Sequence, residues 1–239
     1  MLGHTLLLIF ILLAILIVFS TPTPVHTSEV SITPLDKEYV DIVDTYIVNV
    51  PKIKQTCRMI QNEVDRPHAG VVLGSSTGHF VHELNSMGMY TTGVDESKYM
   101  VQRARDSFSN TFIHGEYTSM MLFQEQSLSH VMCLECTLWS IRDKPSVFRS
   151  VHHWLEPGGL FFVHVPTVWN GPSTSKYTST LVHKTLREKA ILDKTYHVSR
   201  TVYMESKDQV IQMASTYGFE LDHEKDQTLV FKAVEPVYL

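Results

Sequence analysis

The chain has 239 residues, which suits one medium-sized domain with a small appendage, because a single core stops growing efficiently beyond roughly 250 residues. Hydrophobic residues make up 44% and charged ones 19%, a balance that excludes a disordered polymer. The net charge is -5 and no basic run breaks the mixture of signs, so no nucleic-acid partner is expected, since such partners need a basic face to displace counterions.

Residues 6–19 (LLLIFILLAILIVF) carry no polar side chain. The run reaches the roughly 20 residues of a membrane-spanning helix only when residues 1–5 and Ser20 are counted. It reads as an uncleaved anchor, as a signal peptide removed on export, or as a peripheral helix. A signal peptide wants a positive stretch before the apolar run, and only the terminal amine and His4 precede it. The expectation is a single-pass membrane anchor over 1–20, with secretion after cleavage as the alternative. The first basic residue beyond it is Lys37, so charge does little to orient the anchor. Residues 21–34, rich in Pro, Thr and Ser, read as an extended linker, and 35–239 as the folded domain. Cys57, Cys133 and Cys136 are an odd number in a chain large enough to fold without staples, which points to reduced thiols and a cytosol-facing domain.

Over 35–64 the residues Tyr39, Ile42, Val43, Tyr46 and Ile47 recur at helical spacing, and Pro51 divides the stretch into two helices. From Gly70 onward short apolar runs alternate with amphipathic segments, the mark of strand–helix–strand units on a parallel sheet. Strands are expected at 71–74, 90–95, 111–114, 130–134 and 160–166. One helix between them is marked by Val81, Leu84 and Met87, a second by Met100, Val101, Ala104 and Phe108, and a third by Val147, Val151, Trp154 and Leu155. The turn at 155–159 (LEPGG) is expected to end the third helix with glycine. The rhythm fails over 167–204, where Trp169, Tyr177 and Tyr196 accompany a helix expected at 181–189, read either as a lid over a pocket or as packing on the sheet edge. Ser206 and Gln209 have the spacing of a capping box, the helix they open stops at Gly218, and the runs 219–222 and 228–234 read as a closing hairpin. The expected fold is α/β: a doubly wound, Rossmann-like sheet of seven strands, mostly parallel with a C-terminal antiparallel hairpin, preceded by an N-terminal hydrophobic helix.

The stretch from Val71 to Gly78 (VVLGSSTG) is an apolar strand that breaks into small residues and opens a helix. Small residues let a backbone approach a ligand closely, and free N–H groups at a helix start hold polar or anionic groups; the same loop also serves as a plain tight turn. Asp95 stands at the end of the second strand, 17 residues after Gly78. A carboxylate there accepts hydrogen bonds from a ribose diol, or else supports the cap of the following helix, a role Ser97 also fills. The loop has neither the G-x-G-x-x-G spacing of dinucleotide sites nor the G-x-x-x-x-G-K-[ST] of triphosphate sites.

Over about 70–234 the sequence resembles the class I S-adenosylmethionine-dependent methyltransferases, particularly their small-molecule branch, type 11 or 25. Residues 72–78 resemble the family's E/D-x-G-x-G-x-G motif, Gly93-Val-Asp-Glu-Ser97 its second motif, His114-Gly-Glu-Tyr117 its G-D-A turn, 129–136 its F-D-x-V segment, and 155–160 its L-K-P-G-G turn. The resemblance implies S-adenosylmethionine as methyl donor, held by Gly74, Ser75, Ser76, Gly78, Asp95, Glu116 and Tyr117, with Asp95 on the ribose and Glu116 on the adenine amine. It also implies a place for Glu135 beside the transferred methyl group, orienting the donor's ammonium group or taking the acceptor's proton; a solvated loop carboxylate is the plain alternative. Trp139 either walls the pocket or fills the core. The acceptor implied is a small or lipid-like molecule near a membrane. Val72 stands where the family has an acid and Ser76 where it has the middle glycine, which keeps open a catalytically inactive methyltransferase-like module that binds or organises membrane.

Cys133 and Cys136 have C-x-x-C form without a second pair, and the 13 histidines show no metal-ligand spacing, so the thiols read as structural and no metal is expected. No G-x-S-x-G elbow supports covalent catalysis. The oligomeric state is not encoded in any of these patterns.

Overall fold

The computed structural model describes residues 31–33, 35–135, 137–165, 176–182, 185–192, 196–203 and 205–234, all within the unit Ser31–Leu239. The apolar segment at 1–20 and Trp169 lie outside the described residues. Among the described residues no helix is long and apolar enough to cross a membrane.

In chain order the elements are β1 (Ser31–Ile32), α1 (Lys37–Ile42), a π-helical turn (Val43–Ile47), α2 (Val50–Glu63), β2 (Gly70–Leu73), α3 (His79–Ser86), β3 (Thr91–Asp95), α4 (Lys98–Ser107) and β4 (Phe112–His114). A 3-10 turn (Met120–Leu122) leads to β5 (Leu128–Cys133), α5 (Thr137–Ser140), α6 (Lys144–Trp154) and β6 (Leu155–His164). Then come β7 (Lys176–Val182), β8 (Thr185–Leu192), β9 (Tyr196–Tyr203), α7 (Lys207–Thr216), β10 (Phe219–Lys225) and β11 (Thr228–Ala233).

The larger sheet has seven strands in the order β10-β11-β6-β5-β2-β3-β4. Strands β2 to β6 pair in parallel, whereas β11 runs antiparallel to both β6 and β10, so the expected seven-stranded sheet with its closing hairpin is the one that forms. Strand order reverses at β2, flanked by β3 on one side and β5 on the other, and doubly wound sheets bind ligands beyond the C-terminal ends of strands at such a point.

The middle strands read as unbroken apolar runs because helices cover both faces. Val71, Leu73, Val131, Phe161 and Val163 pack with Phe148, Val151 and Trp154 of α6 and Ala214 of α7. Alternate residues Val72, Met132, Phe162 and Val230 pack with Ile53 and Ile60 of α2, Val81 and Leu84 of α3, and Val101 of α4. Two helix starts follow from local chemistry. Asn49 caps α2 by accepting from the Lys52 amide at 3.1 Å with Pro51 in the first turn, and Ser206 with Gln209 completes the capping box of α7.

The structure departs from the sequence expectation at four places. Where a helix is expected over 181–189, residues 181–182 lie in β7 and 185–189 in β8, which with β9 make an antiparallel meander joined in parallel by β1. The alternating Tyr, Thr and Val residues of 177–203 suit a pleated surface, and strand pairing overrides the helix-like charge spacing of Arg187, Glu188 and Lys189. The end of the expected linker, Ser31–Ile32, is thereby a strand. The third marked helix ends at Trp154, with Leu155 already extended, and Gly158 takes a positive φ of 82° inside β6, not at the helix end. Finally, the first helix widens into a π-turn at 43–47, and Ile47 is 37% exposed rather than part of the packed face.

The buried Lys144 fastens the end of β9 to the larger sheet. Its Nζ donates to the carbonyls of Ile141 at 2.9 Å and Tyr203 at 3.3 Å and pairs with the Glu205 carboxylate at 2.7 Å. A buried ammonium is tolerated only with such partners.

His130 is fully buried on β5, its Nδ1 2.9 Å from Ser129 Oγ and its Nε2 without a partner. The ring presses on Gly70, where any Cβ would collide with it. Burial, helped by nearby His68, pushes its pKa down to about 4. The folded value lies below the unfolded one of about 6.5, so on acidification the unfolded chain takes up a proton that the folded chain refuses. Its contribution is intact above about pH 6.5 and is lost as pH falls toward 4, about 3 kcal/mol in all. Urea unfolding at pH 7 and pH 4.5 should show this fall in wild type and a much flatter profile in His130→Leu; equal slopes would assign the acid sensitivity to other groups.

Candidate active site

Beyond Leu73 the chain reverses through Gly74, Ser76 and Gly78, with φ of 67°, 51° and 94°. A Cβ on Gly74 would collide with the Thr137 side chain, and one on Gly78 would come within 2.7 Å of Phe112 Cζ and 3.0 Å of Ala104 Cβ. Both positions therefore require glycine for conformation and for space. Ser76 instead holds an L-residue in the left-handed region, at a strain of about 1–2 kcal/mol.

Asp95 ends β3 and is only 8% exposed. Its Oδ2 accepts from the Ser76 amide and its Oδ1 from the Ser97 amide, each at 2.8 Å, and the Ser75 amide donates to the Val94 carbonyl at 3.0 Å. The small-residue crook and the strand-tip acid are thus joined directly. Ser97 caps α4 by accepting from the Met100 amide at 3.5 Å, so Asp95 both steadies that cap and faces the crook. Burial raises the Asp95 pKa, against the pull of the two amides and of His114. Each carboxylate oxygen keeps a second lone pair beyond its amide partner, which leaves acceptor capacity for a diol.

Glu96 escaped the sequence reading, although the Asp-Glu pair was the available signal. It reaches the surface, yet its Oε1 accepts from the Tyr117 amide at 3.5 Å and its own amide donates to Tyr117 Oη at 3.3 Å. Burial raises its pKa first, and the neighbouring Asp95 and Glu116 carboxylates add to the rise. Tyr117 is buried and ties the loop after β4 to the β3 tip, while Glu116 beside it is exposed.

On the other side of β2, Glu135 sits just past the β5 tip at φ 52°, its carboxylate 3.3 Å from Lys52 Nζ of α2. His164 ends β6 and is half-buried; burial lowers its pKa, Glu135 opposes the fall and Lys52 adds to it. Register sets these groups in a row, because Leu73 lies opposite Val94 and Cys133, and Cys133 opposite Val163. At about 4.8 Å between strands, Asp95, the crook, Glu135 and His164 occupy roughly 15 Å of sheet edge. Lys52 and His164 had no motif to announce them.

Trp139 is core: it is 2% exposed and its indole N–H donates to the Glu205 carbonyl at 3.4 Å. Cys57 and Cys133 are buried, each thiol pushed up to about 12 chiefly by desolvation, so neither supplies a thiolate; Cys136 lies outside the described residues.

Ser75 Oγ is buried in the crook without a partner. A backbone cradle that rejects added Cβ atoms, an orphan hydroxyl and the carboxylates of Asp95, Glu96 and Glu116 fit a ligand that joins a nucleoside to a cationic centre. Because the left-handed strain resides at Ser76 alone among these non-glycine positions, Ser76→Gly should raise the unfolding free energy by about 1 kcal/mol, whereas Gly78→Ala should lower it by more than that. Chemical denaturation of the two variants checks the signs, and a destabilised Ser76→Gly would refute the strain.

The methyltransferase domain family model matches residues 71–163. A search of curated protein sequences gives no significant match. Among solved structures, the CcbJ methyltransferase from Streptomyces caelestis is 17% identical with a TM-score of 0.66, over 82% of this chain and 96% of that one. An S-adenosylmethionine-dependent methyltransferase from Clostridium acetobutylicum is 13% identical with a TM-score of 0.64, over 83% and 98% of the two chains. The amino pentose methyltransferase CalS10 from Micromonospora echinaspora, solved with S-adenosylmethionine bound, is 12% identical with a TM-score of 0.64, over 82% and 96%. At such identities the likeness is one of fold. The family match starts inside the strand that feeds the crook and ends one residue short of His164, so it takes in the tips of β2, β3, β4 and β5; over those residues the chain matches the methyltransferase domain, and its sheet is the fold of the S-adenosylmethionine-dependent methyltransferases it resembles.

Proposed function

We propose that the chain transfers a methyl group from S-adenosylmethionine to a small-molecule or lipid-like acceptor. The observation that carries this reading is the 2.8 Å bond from the Ser76 amide to Asp95, which makes one surface of the crook and the second strand's tip. S-adenosylmethionine supplies an activated methyl group on a sulfonium. Gly74, Ser75, Ser76 and Gly78 line the donor, Asp95 takes the ribose diol, the exposed Glu116 reaches the adenine amine, and Tyr117 holds that turn in place. Glu135 steadies the donor's ammonium group or draws the acceptor's proton. Holding the reactants in line supplies most of the acceleration, since positioning alone is worth up to about 7–11 kcal/mol.

Acceptor class draws support from the fold neighbours, one described as an amino pentose methyltransferase, one as a sugar N-methyltransferase and one as a glycopeptide N-methyltransferase. Residues 1–20 form a membrane anchor and 35–239 a domain facing the cytosol, a topology supported by the apolar run and by two buried, free thiols. Retention in the membrane fraction after alkaline extraction is the expected result, and a mature N-terminus beyond residue 20 would instead mean export.

A second reading, a catalytically inactive module, is favoured by Val72, which is 1% exposed inside the apolar cluster where the family carries an acid. Calorimetric titration of the full chain with S-adenosylmethionine and S-adenosylhomocysteine tests the first step. Both should bind, and Asp95→Ala should weaken binding by about 1–3 kcal/mol, the effect of leaving hydrogen-bonding groups unpaired. A melting curve of the variant separates lost affinity from lost folding. Absence of binding to either compound would end the reading, and binding without turnover on any acceptor would favour the inactive module.

A further inference from the structure

A cavity of about 90 Å³ opens between α2 and the paired ends of β6 and β11, in the row of strand tips but on the far side of Glu135 from Asp95. Seven of its eight lining residues are polar, including Lys52, Gln55 and Thr56 of α2, His164 at the end of β6, and Asp226 and Gln227 in the hairpin turn. Those groups offer hydrogen bonds to a hydroxyl or amine that an acyl chain would leave unpaired, while Met59 and the side-chain stems give apolar contact to the rest of the acceptor.

We infer that this cavity receives a polar acceptor bearing a hydroxyl or amine, and that His164 takes the proton the acceptor gives up; the inference rests on the methyl-transfer reading above. Register places His164 one residue beyond the pair Cys133 and Val163, about two strand spacings, roughly 10 Å, from the Gly74 crook. A small acceptor lying in the cavity bridges that gap. Its oxygen or nitrogen forms the bond to the methyl carbon, the methyl–sulfur bond breaks with its electron pair left on sulfur, and the acceptor's proton passes to the imidazole. Burial keeps the resting imidazole neutral, while the Glu135 carboxylate and hydrogen bonding with the Glu135 backbone and Gln227 side chain favour the imidazolium once it forms. The charged groups facing it are Lys52 from α2, Glu135 from the β5 tip and Asp226 from the hairpin turn. Lys52, held at 3.3 Å by Glu135, discourages protonation before substrate arrives.

The full chain is assayed for S-adenosylhomocysteine release from pH 5 to 9 with two acceptor pools, one of amino sugars, amino acids and polyols, the other of short-chain phospholipids and fatty acids. Turnover is expected with the polar pool alone, and in His164→Gln it should fall at least tenfold and lose its acid limb while donor affinity by calorimetry stays within twofold. In the histidine-labelled chain, the ring signal missing from His164→Gln should titrate below pH 6.5 and move when the turned-over acceptor is added without donor. Gln55→Leu, further from the proton, should raise KM with little change in kcat, which keeps the test open if His164→Gln melts early. Turnover confined to the lipid pool or absent from both, or an acid limb that survives in His164→Gln, overturns the inference and leaves the donor site standing. Failure of the wild-type chain to bind S-adenosylmethionine overturns both.

Discussion

The bond between the Ser76 amide and the Asp95 carboxylate sets the geometry of everything at the sheet edge. It crosses from the loop after β2 to the tip of β3 and brings together two features 19 residues apart in sequence. Two opposing effects meet there. Ser76 sits in a left-handed conformation that an L-residue resists by about 1–2 kcal/mol, and a hydrogen bond to a charged group returns about 1.5–3 kcal/mol. The carboxylate in turn is buried, an unfavourable position for a charge, and two backbone amides at 2.8 Å offset that burial. Strain at the serine and desolvation at the aspartate are thus relieved by the same contact, which explains how serine persists at a position built for glycine.

The absent acid at position 72 has a comparable explanation. Val72 points into the cluster formed with Met132, Phe162 and the inner face of α2, where an ionised group would find no partner. Negative charge is gathered instead one strand over, at Asp95, Glu96 and Glu116, where Tyr117 and the crook amides hold it. The field that draws a cationic donor is therefore displaced along the edge and not lost. Opposite it, Lys52 and His164 on the β5–β6 side give the edge a polarity, acidic toward β3 and mixed toward β6.

Most of the sheet was legible because its central strands are covered on both faces and so appear as short continuous apolar runs between amphipathic helices. The meander of β7, β8 and β9 was not, since its pairing is non-local and its charged stretch at 187–189 imitates a helix face. The π-turn at 43–47 was equally silent: the apolar spacing of Tyr39, Ile42 and Val43 continues through Ile47, and only packing decides that Ile47 turns outward. Asp95 is legible because it is local to a motif; Glu96, its neighbour, is not, because its bonds to Tyr117, 21 residues on, exist only in the folded chain.

The two ends of the edge differ in legibility for a physical reason. A nucleoside is gripped by backbone, and backbone that must come close and turn left-handed writes itself into sequence as contiguous small residues, here Gly74 to Gly78. An acceptor is met by side chains, and side chains converge from wherever the topology delivers a strand end or a helix turn. Lys52 and Glu135 are 83 residues apart, and His164 comes from a further strand again. Nothing local constrains their spacing, so a single sequence announces the shared donor and conceals the individual acceptor, and the acceptor side proposed above rests on the register of β2, β5 and β6.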